Sequence, residues 1–202
     1  MKKAIVLDCD EILLAHLKGF KDYLLKYKNK DTCGYPASYS LVEWLGVSES
    51  ECQELMKEFN TSKEFQNLEP YDEYTVEYLH KFIKQHKNID IFVVTKCGKS
   101  STEMRIENLN AVFGDIFKDI IVLDNNESKK DAFQKIMKTH KILTVADDYI
   151  ENIKVAQELG LDTVILTCAH NVQYFNDKKY TFVDNWKYMF NYLTEVAYFS
   201  KY

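Results

Sequence analysis

Lys3-Ala-Ile-Val-Leu-Asp-Cys-Asp-Glu-Ile12 is the stretch from which the fold is read. Ala4 to Leu7 is a short apolar run with β-branched members, which predicts a buried strand. Asp8 and Asp10 follow where that strand should end. Two carboxylates this close raise each other's energy, so a buried strand that stops on them calls for something to bind them. The alternative is a solvated turn, since Asp is common in turns. A hard cation answers the first case: Mg²⁺ takes oxygen ligands and is held by one or two carboxylates with phosphate and water.

Outward from this stretch, helix and strand signals alternate. Ile12 to about Lys28 carries Leu13, Leu17, Phe20, Leu24 and Tyr27 at spacings of three and four, which predicts a helix. Residues 29–40 are polar, with Gly34 and Pro36, and read as a loop. Leu41 to Leu45 reads as a helical turn. Ser48 and Glu51 then form a capping box for a helix running to about Phe59. Residues 60–70 read as loop. The span 16–69 has no strand signal and lies between two strands, as an inserted helical cap should. Residues 1–15 and 70–202 are expected to form the core.

Within that core, helices are expected over Tyr71–Lys87, Ser100–Asn110 and Ser128–His140. Two more are expected over Ile150–Leu159, stopped by Gly160, and from Trp186 to about Phe199, capped by Asp184. Strands are expected at Ile89–Val94, Ile120–Leu123, Ile142–Ala146 and Thr163–Leu166, with a short one at Thr181–Val183. Continuous apolar strands alternating with helices predict an α/β fold, a doubly wound parallel sheet covered on both faces. Ligands of such sheets bind beyond the carboxyl ends of the strands. Those ends carry Asp8 and Asp10, then Thr95, then Asp147 and Asp148.

Composition bounds the function. The chain has 202 residues, 46% hydrophobic and 28% charged, enough for one good-sized domain or a core with a small insertion. A net charge of -5 argues against a protein that gains affinity by neutralising polymeric nucleic acid, but leaves nucleotides open as small substrates. No apolar run approaches the roughly 18 residues of a membrane span, so no membrane partner is expected. Met1-Lys2-Lys3 leads straight into the strand, without the apolar region of a signal peptide. Cys9, Cys33, Cys52, Cys97 and Cys168 are scattered and form no Cys-x-x-Cys, suggesting neither a disulfide framework nor a zinc site. A reducing, cytoplasmic compartment is therefore expected. Oligomeric state is not legible in the sequence.

The order of the strand-end residues carries more than any one of them. Asp8-Cys9-Asp10-Glu11-Ile12, then Thr95, then Lys129 or Lys130 at a helix start, then Asp147-Asp148, resembles the four motifs of the haloacid dehalogenase-like phosphatases. The resemblance covers nearly the whole chain and implies a Rossmann-like core with a cap. It implies a Mg²⁺-dependent phosphomonoester hydrolase in which Asp8 is the nucleophile and forms an aspartyl-phosphate. Asp10 would protonate the leaving alcohol and then activate water. Thr95 and the lysine would hold the phosphoryl oxygens. Mg²⁺ would be held by Asp8, the backbone carbonyl of Asp10 and Asp148, with Asp147 nearby or linked through water. Lys129 is favoured over Lys130 because Lys-x-x-Ala-Phe sets the helix's apolar face in the family's register. Three positions depart from the pattern: Glu11 where Gly is frequent, Ile12 where Thr or Val is usual, and Asn152 in place of a trailing acid.

The stretches Asp8–Phe20 and Arg105–Gly114 are similar to the 5'(3')-deoxyribonucleotidase branch of that family. This implies a small phosphorylated substrate, a nucleoside monophosphate first and a phosphosugar or other phosphometabolite second. Tyr35, Tyr39, Trp44 and Phe65 of the cap are candidates for stacking on a base or for packing the cap's own core. The alternative of another class is a catalytically inactive protein that keeps the fold for binding.

Overall fold

Period-two alternation along the first strand divides the interior into two cores. In the computed structural model, which describes residues 1–200, β1 (Lys2–Leu7) sends Ile5 and Leu7 to one face and Ala4 and Val6 to the other. β2 (Ile89–Lys96) does the same with Ile91 and Val93 against Phe92 and Val94. With β3 (Asp119–Leu123), β4 (His140–Asp147), β5 (Thr163–Leu166) and β6 (Phe182–Val183) they form one six-stranded sheet in the order β3-β2-β1-β4-β5-β6. Every neighbouring pair is parallel. The chain winds outward from β1 in one direction and from β4 in the other, so the switch in strand order falls between them. Leu7 stands opposite Val93 of β2 and Ala146 of β4. That register delivers Asp8, Thr95 and Asp147 to one edge.

One face is covered by α5 (Thr75–Gln85), α6 (Thr102–Phe113) and α9 (Trp186–Phe199), which supply Leu79, Phe82, Leu109, Phe113, Trp186 and Leu193. The other is covered by α7 (Lys130–Met137) and α8 (Ile150–Glu158), through Phe133, Ile136 and Ala156. Between β1 and α5 lie α1 (His16–Lys28), α2 (Leu41–Leu45), α3 (Glu49–Asn60) and α4 (Lys63–Gln66). Phe20, Phe59 and Phe65 gather these helices into a core continuous with the first face. The chain enters and leaves this helical stretch through paired segments: Ala15 N–H donates to the Glu69 carbonyl at 3.0 Å and Tyr71 N–H to the Leu13 carbonyl at 2.9 Å. No helix among the described residues is long and apolar enough to cross a membrane.

The differences from the sequence reading concern element ends. α1 begins at His16, not Ile12, because the Cys9 carbonyl accepts from the N–H groups of Ile12, Leu13 and Leu14 at 3.3, 2.7 and 3.0 Å. These bonds wind residues 9–14 into a turn, with Glu11 in the left-handed region at φ 57°. α5 begins at Thr75 rather than Tyr71, after Asp72 Oδ1 has accepted from Tyr74 N–H and the Thr75 hydroxyl. Residues 60–70, read as loop, hold α4, whose Phe65 N–H is capped by Ser62 Oγ. The last helix is capped by Asn185, which accepts from Lys187 and Tyr188 N–H, and not by Asp184. Asp184 instead accepts from the Thr167 hydroxyl.

Candidate active site

The site is built on the carboxyl edge of the three central strands. Asp8 leaves β1, Asp147 ends β4, and Asp148 follows it; all three are buried, and their carboxylate oxygens lie within 4.8 Å of one another. Lys129, the residue before α7, reaches this point with a side chain that is 1% exposed. Its Nζ lies 2.7 Å from Asp8 Oδ1 and 2.7 Å from Asp147 Oδ2. Burial works against the Lys129 charge, but Asp147 and Asp8 more than reverse this and raise its pKa. Burial is also the main cause that lifts Asp8 well above the ordinary carboxylate range, opposed by Lys129 and helped by Asp147 and Asp148. Asp147 is raised in the same way. Its other oxygen, Oδ1, accepts from Tyr149 N–H at 3.0 Å and from Asn152 Nδ2 at 3.1 Å. Asn152, where an acid would have added another negative charge, therefore orients Asp147 as a neutral donor.

Lys130, the other candidate lysine, stands apart from the carboxylates. Its side chain is 46% exposed and its ammonium faces Glu158 at 3.7 Å. One residue of helical rotation separates the two lysines, enough to send the second to solvent.

Thr95 is fully buried in β2, and its hydroxyl has no hydrogen-bond partner among the described residues. A buried hydroxyl left unpaired costs free energy, so this donor is set for an acceptor brought by a ligand. Three carboxylates with an all-oxygen donor set, and one ammonium between two of them, leave the cluster net negative. Mg²⁺, which prefers such ligands, fits these residues.

Asp10 is not part of the carboxylate trio. Its Oδ1 is held at 2.5 Å by Arg105 of α6, whose guanidinium is completely buried. Arg105 also lies 3.2 Å from Cys9 Sγ and stacks on the Phe65 ring at 4.3 Å. Arg105 enters the sequence reading only as the start of the stretch Arg105–Gly114, and its pairing with Asp10, 95 residues away, has no local signal. Glu11 turns inward: its Oε1 accepts from Leu17 N–H at 2.8 Å and so caps α1, which has no side-chain cap of its own. Burial pushes Glu11 up to about 8, against the hydrogen bond from Leu17.

A cleft of about 810 Å³ opens over this edge, lined on the sheet side by Asp8, Asp10 and Lys129 and on the helical side by Tyr39, Met56 and Asn60. The four candidate aromatics of residues 16–69 separate here. Phe65 is fully buried against Arg105 and Phe59, and Trp44 packs near Phe20 with its Nε1 on the Cys33 carbonyl. Tyr35 is exposed beside Lys21 and does not line the cleft. Tyr39 does line it, stacked on Tyr149 at 3.7 Å between ring centroids.

No sequence-family model matches the chain, and no curated protein does. Solved structures match over nearly its whole length. A haloacid dehalogenase-like hydrolase of Streptococcus pneumoniae shares 15% identity over 95% of this chain and 98% of its own, with a TM-score of 0.64. A Lactobacillus plantarum protein assigned as a phosphoglycolate phosphatase shares 14% identity over 95% and 99%, also at 0.64. A haloacid dehalogenase-type hydrolase of Bacillus subtilis, bound to magnesium, shares 13% over 96% and 99%, at 0.59. At these identities the likeness establishes the fold: an α/β sheet of the haloacid dehalogenase-like type.

Proposed function

We propose that this chain, which has the fold of the haloacid dehalogenase-like hydrolases, is a Mg²⁺-dependent phosphomonoester hydrolase. The observation that carries the reading is the meeting of Asp8, Asp147 and Asp148, with Lys129 between Asp8 and Asp147, at the sheet edge that also carries the buried Thr95. Asp8, Asp147 and Asp148 would hold the cation. When bound, Mg²⁺ supplies positive charge that screens the repulsion between an anionic nucleophile and an anionic ester.

The chain's own residues do the rest. Asp8 attacks phosphorus and becomes an aspartyl-phosphate as the alcohol leaves. Lys129, fixed by Asp8 and Asp147, keeps its charge where the phosphoryl group gathers negative charge. Thr95 donates to a phosphoryl oxygen. Asp10 gives a proton to the departing alkoxide and recovers one from the water that cleaves the acyl phosphate. Arg105 positions the Asp10 carboxylate for both transfers.

The helical stretch 16–69 is read as the cap that closes the cleft and selects the leaving group. A small phosphorylated metabolite suits the cleft of about 810 Å³. Within that class we favour a nucleoside monophosphate, because Tyr39 is 55% exposed at the cleft and offers a ring face for a base. Hydrolysis of p-nitrophenyl phosphate, with and without Mg²⁺, by wild type and Asp8→Asn tests the reaction. Turnover that survives Asp8→Asn refutes Asp8 as the nucleophile, whereas no turnover across a broad phosphoester panel refutes the reaction and favours a binding protein. A panel of nucleoside monophosphates, sugar phosphates and phosphoglycolate tests the substrate class. A Tyr39→Ala variant that loses nothing on nucleotides relative to sugar phosphates overturns the base-stacking assignment.

A further inference from the structure

Beside the carboxylate trio stands a second cluster of different chemistry. Cys168 and His170, in the loop after β5, face Asp148, and the three ligand atoms lie within 4.8 Å of one another. His170 Nε2 is 2.7 Å from Asp148 Oδ2, and Cys168 Sγ is 3.1 Å from His170 Nε2 and 3.6 Å from its Nδ1. A nucleophile triad would place the acid and the thiol on opposite ring nitrogens. Here the thiol lies nearer the nitrogen that the acid already uses. A neutral imidazole that donates from Nε2 to Asp148 meets the thiol only through the longer 3.6 Å contact at Nδ1 and leaves the closer 3.1 Å contact without a hydrogen. A cation serves all three.

The loop is also held in place. Asn171 is 1% exposed; its Nδ2 donates to the carbonyls of Asp148 and Leu166, each at 2.9 Å, and its Oδ1 accepts from Cys168 N–H at 3.0 Å. One buried amide thus locks the backbone bearing the thiol to the backbone bearing the carboxylate. Such support behind a set of ligating groups is what a preorganised site requires.

We infer that Cys168 Sγ, His170 Nε2 and Asp148 Oδ2 bind a soft divalent cation of the Zn²⁺ kind, next to the hard-cation carboxylates. Thiolate, imidazole and carboxylate are a zinc-type donor set, with the cleft side left for water as fourth ligand. Zinc–ligand lengths set tetrahedral N···O and S···N separations of about 3.3 and 3.6 Å, so the present contacts need open by only about half an ångström. Binding turns the Cys168 thiol into a thiolate and releases its proton to solvent. Asp148 belongs to both clusters, so an ion held by Cys168 and His170 draws that carboxylate away from Asp8 and Asp147. Zn²⁺ therefore raises the Mg²⁺ concentration that the hard site needs.

Cd²⁺ titration, followed by the ultraviolet thiolate-to-metal charge-transfer band, tests the site without turnover. Wild type and Cys33→Ser should each saturate one band at one equivalent. Cys168→Ser should lose the band, and His170→Gln should keep a thiolate signal but bind about tenfold or more weaker in competition with a chelating dye. Circular dichroism checks that both variants are folded. The Asp8→Asn protein should retain the band, so failure of the hydrolase reading and failure of this one are read separately. A band that persists in Cys168→Ser, or His170→Gln binding as tightly as wild type, overturns the assignment.

Discussion

Replacing Lys129 by methionine keeps most of the side chain's volume and removes one charge from the centre of the site. The ammonium is 1% exposed and touches two buried carboxylates at 2.7 Å each. Without it, Asp8 and Asp147 face each other with no counter-charge in protein free of metal. Breaking a buried ion pair by removing one partner costs about 3–5 kcal/mol. For a chain of this size each kcal/mol lowers Tm by about 2–4 °C, so Lys129→Met should melt about 6–20 °C below wild type. Lys130→Met is the internal control: its exposed ammonium, 3.7 Å from Glu158, is worth less than about 1 kcal/mol. Saturating Mg²⁺ should restore part of the Lys129→Met loss, because a cation among the carboxylates replaces the missing charge. The assay is thermal unfolding by circular dichroism, with EDTA and with Mg²⁺, followed by p-nitrophenyl phosphate turnover at a temperature where both variants are folded. Melting points for the two lysine variants within about 2 °C of each other in EDTA would refute the reasoning.

Three further outcomes are expected. Arg105→Met should lower kcat on the best substrate by about 10- to 100-fold through loss of Asp10 positioning, with Arg105→Lys only partly restoring it because an ammonium cannot reproduce the guanidinium fork; unchanged kcat in both removes Arg105 from the mechanism. Gly19→Ala drives a Cβ into Leu68 Cδ2, so it should lower Tm in wild type but raise it in a Leu68→Ala background, where the gain in helix propensity of about 1 kcal/mol is left; the same sign in both backgrounds contradicts the contact. His16 is buried beside Asn60 and its pKa is lowered, chiefly by burial. The unfolded chain then takes up the proton first on acidification, so stability present above about pH 6.5 is lost as pH falls toward the folded value. Tm between pH 8 and 5 should fall more steeply for wild type than for His16→Gln, and parallel profiles would exclude the effect.

Much of the architecture was legible because strand and helix signals are local. The apolar run of β1 between residues 4 and 7, the capping box at Ser48 and the stop at Gly160 each depend on a few consecutive residues. Strand ends were read in order, and a parallel sheet brings strand ends to one edge whatever the intervening loops do. The differences at element ends come from local turns and caps that hydrophobic periodicity does not encode, such as those made by Cys9, Ser62, Asp72 and Asn185. The helix expected at Ile12 is held off until His16 by the turn around the Cys9 carbonyl, and Trp186 Nε1 fixes the Ile12 carbonyl from α9 at 2.5 Å.

The alternating α/β order and the placing of Asp8, Asp10, Thr95, Asp147 and Asp148 at strand ends are legible in neighbouring residues, where periodicity and turn chemistry are written. Which lysine reaches the carboxylates, the grip of Arg105 on Asp10, and the convergence of Cys168 and His170 on Asp148 emerge from the packed fold. Those outcomes rest on the rotation of a helix and the path of a loop that join residues far apart in sequence. Packing sets such distances, and no local spacing encodes them.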